Sequence, residues 1–287
     1  MTQPELEATY DKKYEYENEF QEHTVCFDDA EAYIKWIETF HAKCGDHHIY
    51  RGQRCHSWTL LPAYLRLQTY DLNKYRQMLM DYFQIGLFNG LDLPLDKPYE
   101  SLIDPVRQRL VFTDRGPVDN PHMQAPSALV AHAQHNGLPT ELLDATRDPM
   151  VASFFAVWKN TGENREPLNE SVIWAFNENE LYARTNLRVW TYPVSASFTP
   201  NQKSVFLWDS GGSGRSDYSK PFEEELLHAK DIEGAFRRIV LCKKAIIGLQ
   251  DILEKRGVTY TSMFPDWRDI ACSIKKKCGF SEADHKS

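Results

Sequence analysis

The sequence lacks several features that would assign a function directly. Its six cysteines form no Cys-x-x-Cys pair, and no apolar run approaches the length of a membrane span. Scattered cysteines are typical of reduced thiols rather than of a disulfide framework. The first residues are acidic, unlike those of a signal peptide. We therefore expect a cytoplasmic protein with no membrane partner.

Excess positive charge and a metal-ligand cluster are missing as well. The net charge is −8, which argues against broad, sequence-independent binding to nucleic acid, although a local basic groove is compatible with it. His47, His48 and His56 have no acidic or cysteine ligand at a suitable spacing, so we expect a solvated loop and no metal. The sequence predicts neither a metalloenzyme nor a general nucleic-acid-binding protein.

The chain does contain enough hydrophobic residues to form one sizeable core. Of the 287 residues, 42% are hydrophobic and 13% aromatic. No internal repeat or linker divides the chain. We predict a flexible acidic arm over residues 1–25, with a place for a partner to bind, one α+β domain over residues 26–278, and a tail over residues 279–287.

Hydrophobic periodicity predicts the elements of that domain. Apolar residues at helical spacing, and capping residues, predict helices near residues 28–44, 73–88, 127–135, 149–158 and 246–256, with a short helix at 101–109 and a last one from Asp266. Short apolar runs predict strands near residues 49–53, 142–143, 171–176, 188–192, 204–208 and 238–242. The fold class expected is α+β, with a mixed, mostly antiparallel sheet flanked by helices.

Residues 134–146 carry more polar side chains than a packed core needs. The stretch reads as the end of a helix, a turn at Asn136-Gly137, a short strand and a second turn before the next helix. Buried polar groups are costly unless they bond to one another or form a site. The polar residues are Gln134, His135, Thr140, Glu141, Asp144 and Thr146.

Two motifs in order resemble the FRG domain family. The first is Ile49-Tyr50-Arg51-Gly52-Gln53, followed by Trp58 and Leu60-Leu61-Pro62. The second is Gln134-His135-x-Gly137-Leu138-Pro139-Thr140-x-Leu142-Leu143-Asp144-x-Thr146, and Phe264-Pro265-Asp266 is similar to the family's closing segment. The resemblance covers about residues 28–277. Glu141 and Ala145 depart from it, since the family commonly has arginine and tryptophan there.

Arg51 is the residue in these motifs with the clearest chemistry. Its guanidinium fork lies beside a glycine at the end of a strand, an arrangement suited to a bidentate grip on phosphate or carboxylate. The alternative, which carries equal weight, is that Arg51 pairs with Asp144 inside the fold. Asp144 in turn fixes Arg51, caps the following helix or, as a minor alternative, takes part in catalysis.

The order of these motifs is also similar to that in mono-ADP-ribosyltransferases. That resemblance implies NAD as a substrate, with an arginine on a first strand, a serine or threonine on a second and a glutamate on a later one. Arg51 would then bind the pyrophosphate, Thr140 would orient the ligand, and Tyr50 or a neighbouring aromatic residue would stack on nicotinamide. Gly52, Gln53, His135 and Asp144 would complete the NAD site. No metal cofactor is expected.

The carboxylate of such a reaction is the open position. A later strand motif containing glutamine falls near Gln202, where no Glu-x-Glu stands, and Glu141 and Glu225 are the candidates. Solvated surface charge is the alternative for both glutamates. His135 either serves as an acid or base near neutral pH or bonds the carbonyls at the end of its helix.

The function expected from this resemblance is ADP-ribosyl transfer, a glycosyltransferase-type reaction, to a nucleic acid or protein. A bacterial toxin, from an anti-phage or toxin–antitoxin system, is the expected setting, with an antitoxin or chaperone protein as a partner. The alternative is a non-catalytic module that holds a nucleotide or peptide in the same cleft.

Overall fold

The structure is a computed structural model that describes part of the chain. The described residues are 19–66, 72–89, 103–104, 109–110, 113–115, 124–126, 128–162, 166–191, 199–210, 221–231 and 234–264. Among the described helices, none is both long and apolar enough to cross a membrane.

One seven-stranded sheet organises the fold. Its seven strands are β1 (Thr24–Phe27), β2 (His48–Gln53), β7 (Leu143–Thr146), β8 (Ser171–Asn177), β9 (Leu187–Trp190), β10 (Ser204–Asp209) and β11 (Phe236–Leu241). The strand order is β1-β11-β8-β2-β7-β10-β9, and every neighbouring pair is antiparallel except β1 with β11. The strands β3 (Ile103–Asp104), β4 (Arg109–Leu110), β5 (Thr113–Arg115) and β6 (Gln124–Pro126) form two separate pairs. The predicted α+β fold with a mixed, mostly antiparallel sheet is confirmed.

Nine α-helices accompany the strands in the described part of the chain. They are α1 (Ala30–Cys44), α2 (Leu72–Phe88), α3 (Ala128–His135), α4 (Pro149–Val157), α5 (Glu178–Arg184), α6 (Thr199–Gln202), α7 (Phe222–Leu226), α8 (Lys243–Lys255) and α9 (Tyr260–Met263). Single turns of 3-10 helix lie at Gln21–His23, Gly45–His47, Tyr64–Arg66 and Leu227–Ala229.

The ends of the helices around the site follow their capping residues. Asp29 accepts a hydrogen bond from the Ala32 amide at the start of α1, and Asp148 accepts one from the Met150 amide at the start of α4. After α3, Gly137 has a φ of +88°, a conformation that favours glycine and closes the helix. These predicted boundaries are confirmed.

Strand β2 lies in the middle of the sheet and has a different core on each face. Ile49 packs in the cluster that contains Leu60 and Trp174, whereas Tyr50 packs in the cluster formed with α1, α4 and α8. Because side chains alternate along a strand, Arg51 projects to the same face as Ile49. A third cluster joins α2 and α3 to Leu142 and Phe206.

The N-terminal part of the chain differs from its prediction. Thr24 and Val25, expected in a flexible arm, belong to β1 and pair in parallel with β11. Phe20 is buried, with its ring edge-to-face against Phe236 at 5.1 Å between centroids. One buried aromatic anchors this otherwise polar stretch, which is why composition alone assigned it to the arm. Residues 1–18 lie outside the described residues.

Two other expectations near the site need correction. The short helix expected at residues 101–109 is wrong where the chain is described, because residues 103–104 and 109–110 pair as the antiparallel strands β3 and β4. Thr140 was expected on a strand, but it lies in the turn before β7, which begins only at Leu143. The Thr140 hydroxyl instead forms hydrogen bonds with Gln134 and with the Leu142 amide in this turn. The last predicted helix, from Asp266, lies outside the described residues.

Candidate functional site

Arg51 holds together the two strands that carry the sequence motifs. β2 and β7 share a single register pair, Tyr50 with Thr146. Arg51 Nη1 donates a hydrogen bond to the main-chain carbonyl oxygen of Asp144 at 2.5 Å. The expected pairing of Arg51 with Asp144 therefore exists, but it is made through the backbone of Asp144. The Asp144 carboxylate remains available for other contacts.

A chain of side-chain hydrogen bonds leads from Asp144 back to Thr140. The Thr140 hydroxyl donates to Gln134 Oε1, and Gln134 Nε2 donates to Asp144 Oδ1 at 2.7 Å. The Thr140 oxygen also accepts from the Leu142 amide at 3.2 Å. Since Thr140 is fully buried and its hydroxyl is occupied in both directions, it acts on the site through Gln134.

A second arginine faces the same carboxylate. Arg66 ends the turn Tyr64–Arg66, which is fixed to the motif because the Tyr64 amide donates to the Thr140 carbonyl at 3.0 Å. Arg66 Nε donates to the Leu61 carbonyl at 2.8 Å. Burial lowers the pKa of Arg66, and the nearby Asp144 carboxylate raises it. We call Arg51, Arg66, Gln134, Thr140 and Asp144 the Arg51 site.

The guanidinium of Arg51 is enclosed and has one hydrogen-bond donor without a partner among the described residues. Its Nε is buried and has no partner among the described residues. Burial lowers the pKa of Arg51 to about 10, against the opposing effect of Asp144, so the side chain stays cationic at neutral pH. A buried cation with an unpaired N–H attracts an anionic group strongly, since the surroundings screen it poorly.

His135 and Glu141 border this site. Burial lowers the pKa of the half-buried His135, and the Asp144 carboxylate raises it, so the two side chains lie within electrostatic range. The His135 ring lies 5.7 Å from that of Phe206. Glu141 is half-buried in the turn between Thr140 and Leu142. The sequence predicts a site role for both, which stays a prediction.

The remaining candidates in β2 have their contacts within the fold. Tyr50 is fully buried on the opposite face from Arg51, and its hydroxyl lies 3.0 Å from His41 Nδ1. A Cβ added at Gly52 would lie 1.9 Å from the Ala152 carbonyl oxygen, so this glycine is required for the close approach of α4. Gln53 accepts from Trp174 Nε1 and donates to the Thr59 carbonyl. The ring-stacking surface and the bare backbone expected at Tyr50 and Gly52 are therefore covered by the protein itself.

Gln202 and Glu225 also bond to structural partners. Gln202 Nε2 donates to the Met263 carbonyl at 2.8 Å. The main-chain carbonyl of Gln202 accepts from the Thr146 hydroxyl at 2.6 Å. Glu225 Oε2 accepts from the Asn186 amide at 2.9 Å. These three hydrogen bonds join separate segments of the chain, and none of the three involves Arg51.

Glu223, which the sequence analysis missed, faces Arg51 instead. It is 4% exposed, lies two residues before Glu225 in α7, and accepts from the Leu60 amide at 2.7 Å. Burial raises the pKa of Glu223 to about 7, and the charges of Arg238 and Arg51 counteract part of that effect. The run Phe222-Glu-Glu-Glu225 is acidic, but only the structure tells which of its carboxylates acts on Arg51.

The chemistry available at the Arg51 site is therefore anion binding beside a carboxylate. Arg51 and Arg66 supply two cations, and the charge of the exposed Asp144 carboxylate acts on both. Within the described residues, no group of three or more His, Cys, Asp or Glu side chains is arranged to hold a metal ion.

Comparison with protein families gives a match over the part of the chain that contains this site. Neither the curated proteins nor the solved structures contain a match, so the implied similarity to mono-ADP-ribosyltransferases gains no support from them. Residues 46–165 match the FRG domain, a narrower interval than the 28–277 expected from the motifs. It includes Arg51, Arg66, Gln134, Thr140 and Asp144.

Proposed function

We propose that this protein binds NAD at the Arg51 site and transfers its ADP-ribosyl group to a macromolecular acceptor, a nucleic acid or a protein. The observation that carries the proposal is the convergence of Arg51, Arg66 and the Asp144 carboxylate where the two sequence motifs meet. NAD offers the matching chemistry, since its pyrophosphate is anionic and its reacting ribose becomes cationic as nicotinamide leaves.

The two arginines suit the pyrophosphate. Arg51 has an enclosed N–H without a partner among the described residues, and Arg66 adds a second cation at the surface. Arginine is well suited to this contact because its planar fork bonds phosphate oxygens in pairs. Since Arg51 is already held by the Asp144 carbonyl, little conformational entropy is lost when it binds a ligand.

Asp144 supplies a carboxylate for the transfer step. In that step the bond from ribose C1′ to the nicotinamide nitrogen breaks, and its electron pair stays with nicotinamide. An exposed carboxylate fixed by Gln134 stabilises the positive charge that develops on the ribose. The acceptor then forms its bond to C1′ and releases a proton.

The placement of Thr140 supports a modified form of the layout implied by the resemblance. Strand β2, with Arg51, lies directly beside β7, which follows Thr140. Thr140 itself is buried, so its part is to fix Gln134, which orients Asp144. Thr140 is thus a positioning residue, and Arg51 and Asp144 are the residues that contact the ligand.

The test is transfer of label from NAD. The protein is incubated with NAD labelled in the adenylate phosphate and with a cell extract, and acceptor labelling and nicotinamide release are measured. We expect both signals for the wild type, loss of both for Arg51→Ala, and retention of both for Arg54→Ala. Arg54 is the matched control because its guanidinium lies over Trp58, 5.4 Å from the ring centroid. A folded wild type that releases no nicotinamide would contradict the proposal.

A non-catalytic binding module is the second candidate. It is favoured because two of the side chains proposed for catalysis already form hydrogen bonds within the protein. Arg51 bonds to the Asp144 carbonyl, and Thr140 bonds to Gln134. Calorimetry distinguishes the two functions. NAD that binds without turnover, and loses affinity on Arg51→Ala, identifies the module.

A toxin role would accompany transfer to an essential macromolecule. Its test is controlled expression in a bacterial host, with growth followed for the wild type and for Arg51→Ala. Growth arrest that depends on Arg51 supports the toxin, and rescue by a co-expressed protein identifies an antitoxin partner. Normal growth with confirmed expression contradicts it.

A further inference from the structure

Glu223 is a buried carboxyl group with only one of its oxygens bonded. Oε1 accepts from the Leu60 amide at 2.7 Å, while Oε2 is buried without a partner among the described residues. The Phe222 amide donates to the Leu60 carbonyl at 3.0 Å, so α7 and the loop before Arg66 are joined by two bonds. A buried oxygen left unpaired in a rigid position is costly and calls for an explanation.

Two arginines face Glu223, each from a different strand. Arg51 projects from β2, and Arg238 projects from β11, where its guanidinium lies 5.9 Å from the centre of the Trp174 ring. Arg238 Nη2 donates to the His56 carbonyl at 3.2 Å. The positive charges of Arg238 and Arg51 both lower the pKa of Glu223, against the effect of burial.

The unpaired atoms of Arg51 and Glu223 are complementary. Arg51 Nε is a buried donor and Glu223 Oε2 a buried acceptor, and neither has a partner among the described residues. The charges of Asp144 and Glu223 both act on Arg51, but the Asp144 side chain is exposed whereas Glu223 is buried. An anion placed beside Arg51 would add a second negative charge to the same enclosed region.

We propose that Glu223 is the internal counter-charge of Arg51 and that it takes up a proton when an anionic ligand binds beside Arg51. In the free protein, the Glu223 carboxylate partly balances the two arginines. A bound phosphate provides that negative charge instead, and two anions so close in a poorly screened region repel each other. The carboxyl group then takes a proton from solvent, and its neutral form remains buried at lower cost.

This coupling makes phosphate binding depend on pH. Burial raises the pKa of Glu223 to about 7, so the group changes charge near neutral pH. Affinity for the anion falls as pH rises through that range, by at most about tenfold per pH unit for one proton taken up. His135 is a second group near the site that can take a proton, and the Asp144 carboxylate favours its charged form.

Calorimetry with ADP-ribose tests the inference, which rests on the proposed binding of NAD phosphates by Arg51. The titration is repeated between pH 6 and pH 8 in two buffers of different ionisation enthalpy, which gives the number of protons exchanged. We expect net proton uptake in the wild type and its loss in Glu223→Gln, which keeps an acceptor for the Leu60 amide. Glu224→Gln, the neighbouring glutamate in α7, and His135→Asn are expected to retain the uptake.

The outcomes separate this inference from the proposed function. A wild type that does not bind ADP-ribose overturns both. Binding without proton uptake, or uptake that persists in Glu223→Gln, overturns the role of Glu223 alone. Should Glu223→Gln fail to fold, His135→Asn decides, since uptake that disappears in that variant assigns the proton to His135 and overturns the inference.

Discussion

Arg51 Nη1 donates a hydrogen bond to the main-chain carbonyl oxygen of Asp144, beside the single register pair that joins β2 to β7. The first sequence motif thus supplies the donor and the second motif supplies the acceptor. The same bond contributes to the sheet and fixes a cation at the site. The effects on stability and on ligand binding can therefore be separated only by a substitution of the Asp144 side chain, which leaves the hydrogen bond from Arg51 to the Asp144 backbone intact.

Asp144→Asn provides such a separation. The Arg51 bond is to the Asp144 backbone, and an asparagine Oδ1 still accepts from Gln134, so the free energy of unfolding is expected to change by less than about 0.5 kcal/mol. Under the proposed function, loss of the carboxylate slows nicotinamide release by about a hundredfold or more. Urea unfolding and the release assay are measured on the same preparation. A strongly destabilised Asp144→Asn with an unchanged rate would contradict this division of roles.

Thr140→Val is expected to have the opposite effect on stability. Valine has nearly the same shape but cannot donate to Gln134 or accept from the Leu142 amide, so the variant loses about 1–3 kcal/mol of unfolding free energy. Thr140→Ser, which keeps the hydroxyl, is the control and should unfold closer to the wild type. If Thr140→Val and Thr140→Ser unfold at the same urea concentration, the hydroxyl contributes little.

Gly52→Ala tests whether the glycine of the Arg-Gly pair serves packing. The added Cβ would lie 1.9 Å from the Ala152 carbonyl oxygen and 2.7 Å from the Ala156 amide nitrogen, both backbone atoms of α4. Such a contact forces α4 away from β2, and a loss of about 3 kcal/mol or more is expected on thermal or urea unfolding. Gly86→Ala is the control, because nothing lies within 4 Å of its added Cβ, and alanine in a helix should stabilise by about 0.5–1 kcal/mol. A well-folded Gly52→Ala of normal stability would instead leave the glycine free for another role.

How much of this site could be predicted depends on whether a residue acts locally or through the fold. Local signals were sufficient for α1 and α4, since Asp29, Asp148 and Gly45 act within one turn of the helix they begin or end. The two motifs pointed correctly to Arg51 and Asp144 as neighbours. The contact through the Asp144 backbone could not be predicted, because every residue has a main-chain carbonyl and the residue type does not show which one accepts a hydrogen bond.

The carboxylates show the limit more clearly. Glu223 and Glu225 lie two residues apart in one acidic run, and both are buried. Their partners, Leu60 and Asn186, are distant in sequence, so only tertiary packing distinguishes the glutamate that faces Arg51 from the one that fixes a turn. Phe20 presents the same difficulty, since its buried position follows from contacts with Phe236 and Trp174 rather than from the polar residues around it.

The buried carboxyl group of Glu223 should also be visible in the pH dependence of stability, without any ligand. Burial raises its pKa from 4.5 to about 7, so between these values the folded protein keeps a proton that the unfolded chain has lost. The free energy of unfolding therefore falls as pH rises through that interval, by at most about 3 kcal/mol, and levels off above it. Glu223→Gln removes this loss, and its stability relative to the wild type should increase from pH 5 to pH 8 in urea unfolding. Glu224→Gln, on the same helix, should follow the wild type, and parallel curves for wild type and Glu223→Gln would show that Glu223 ionises normally.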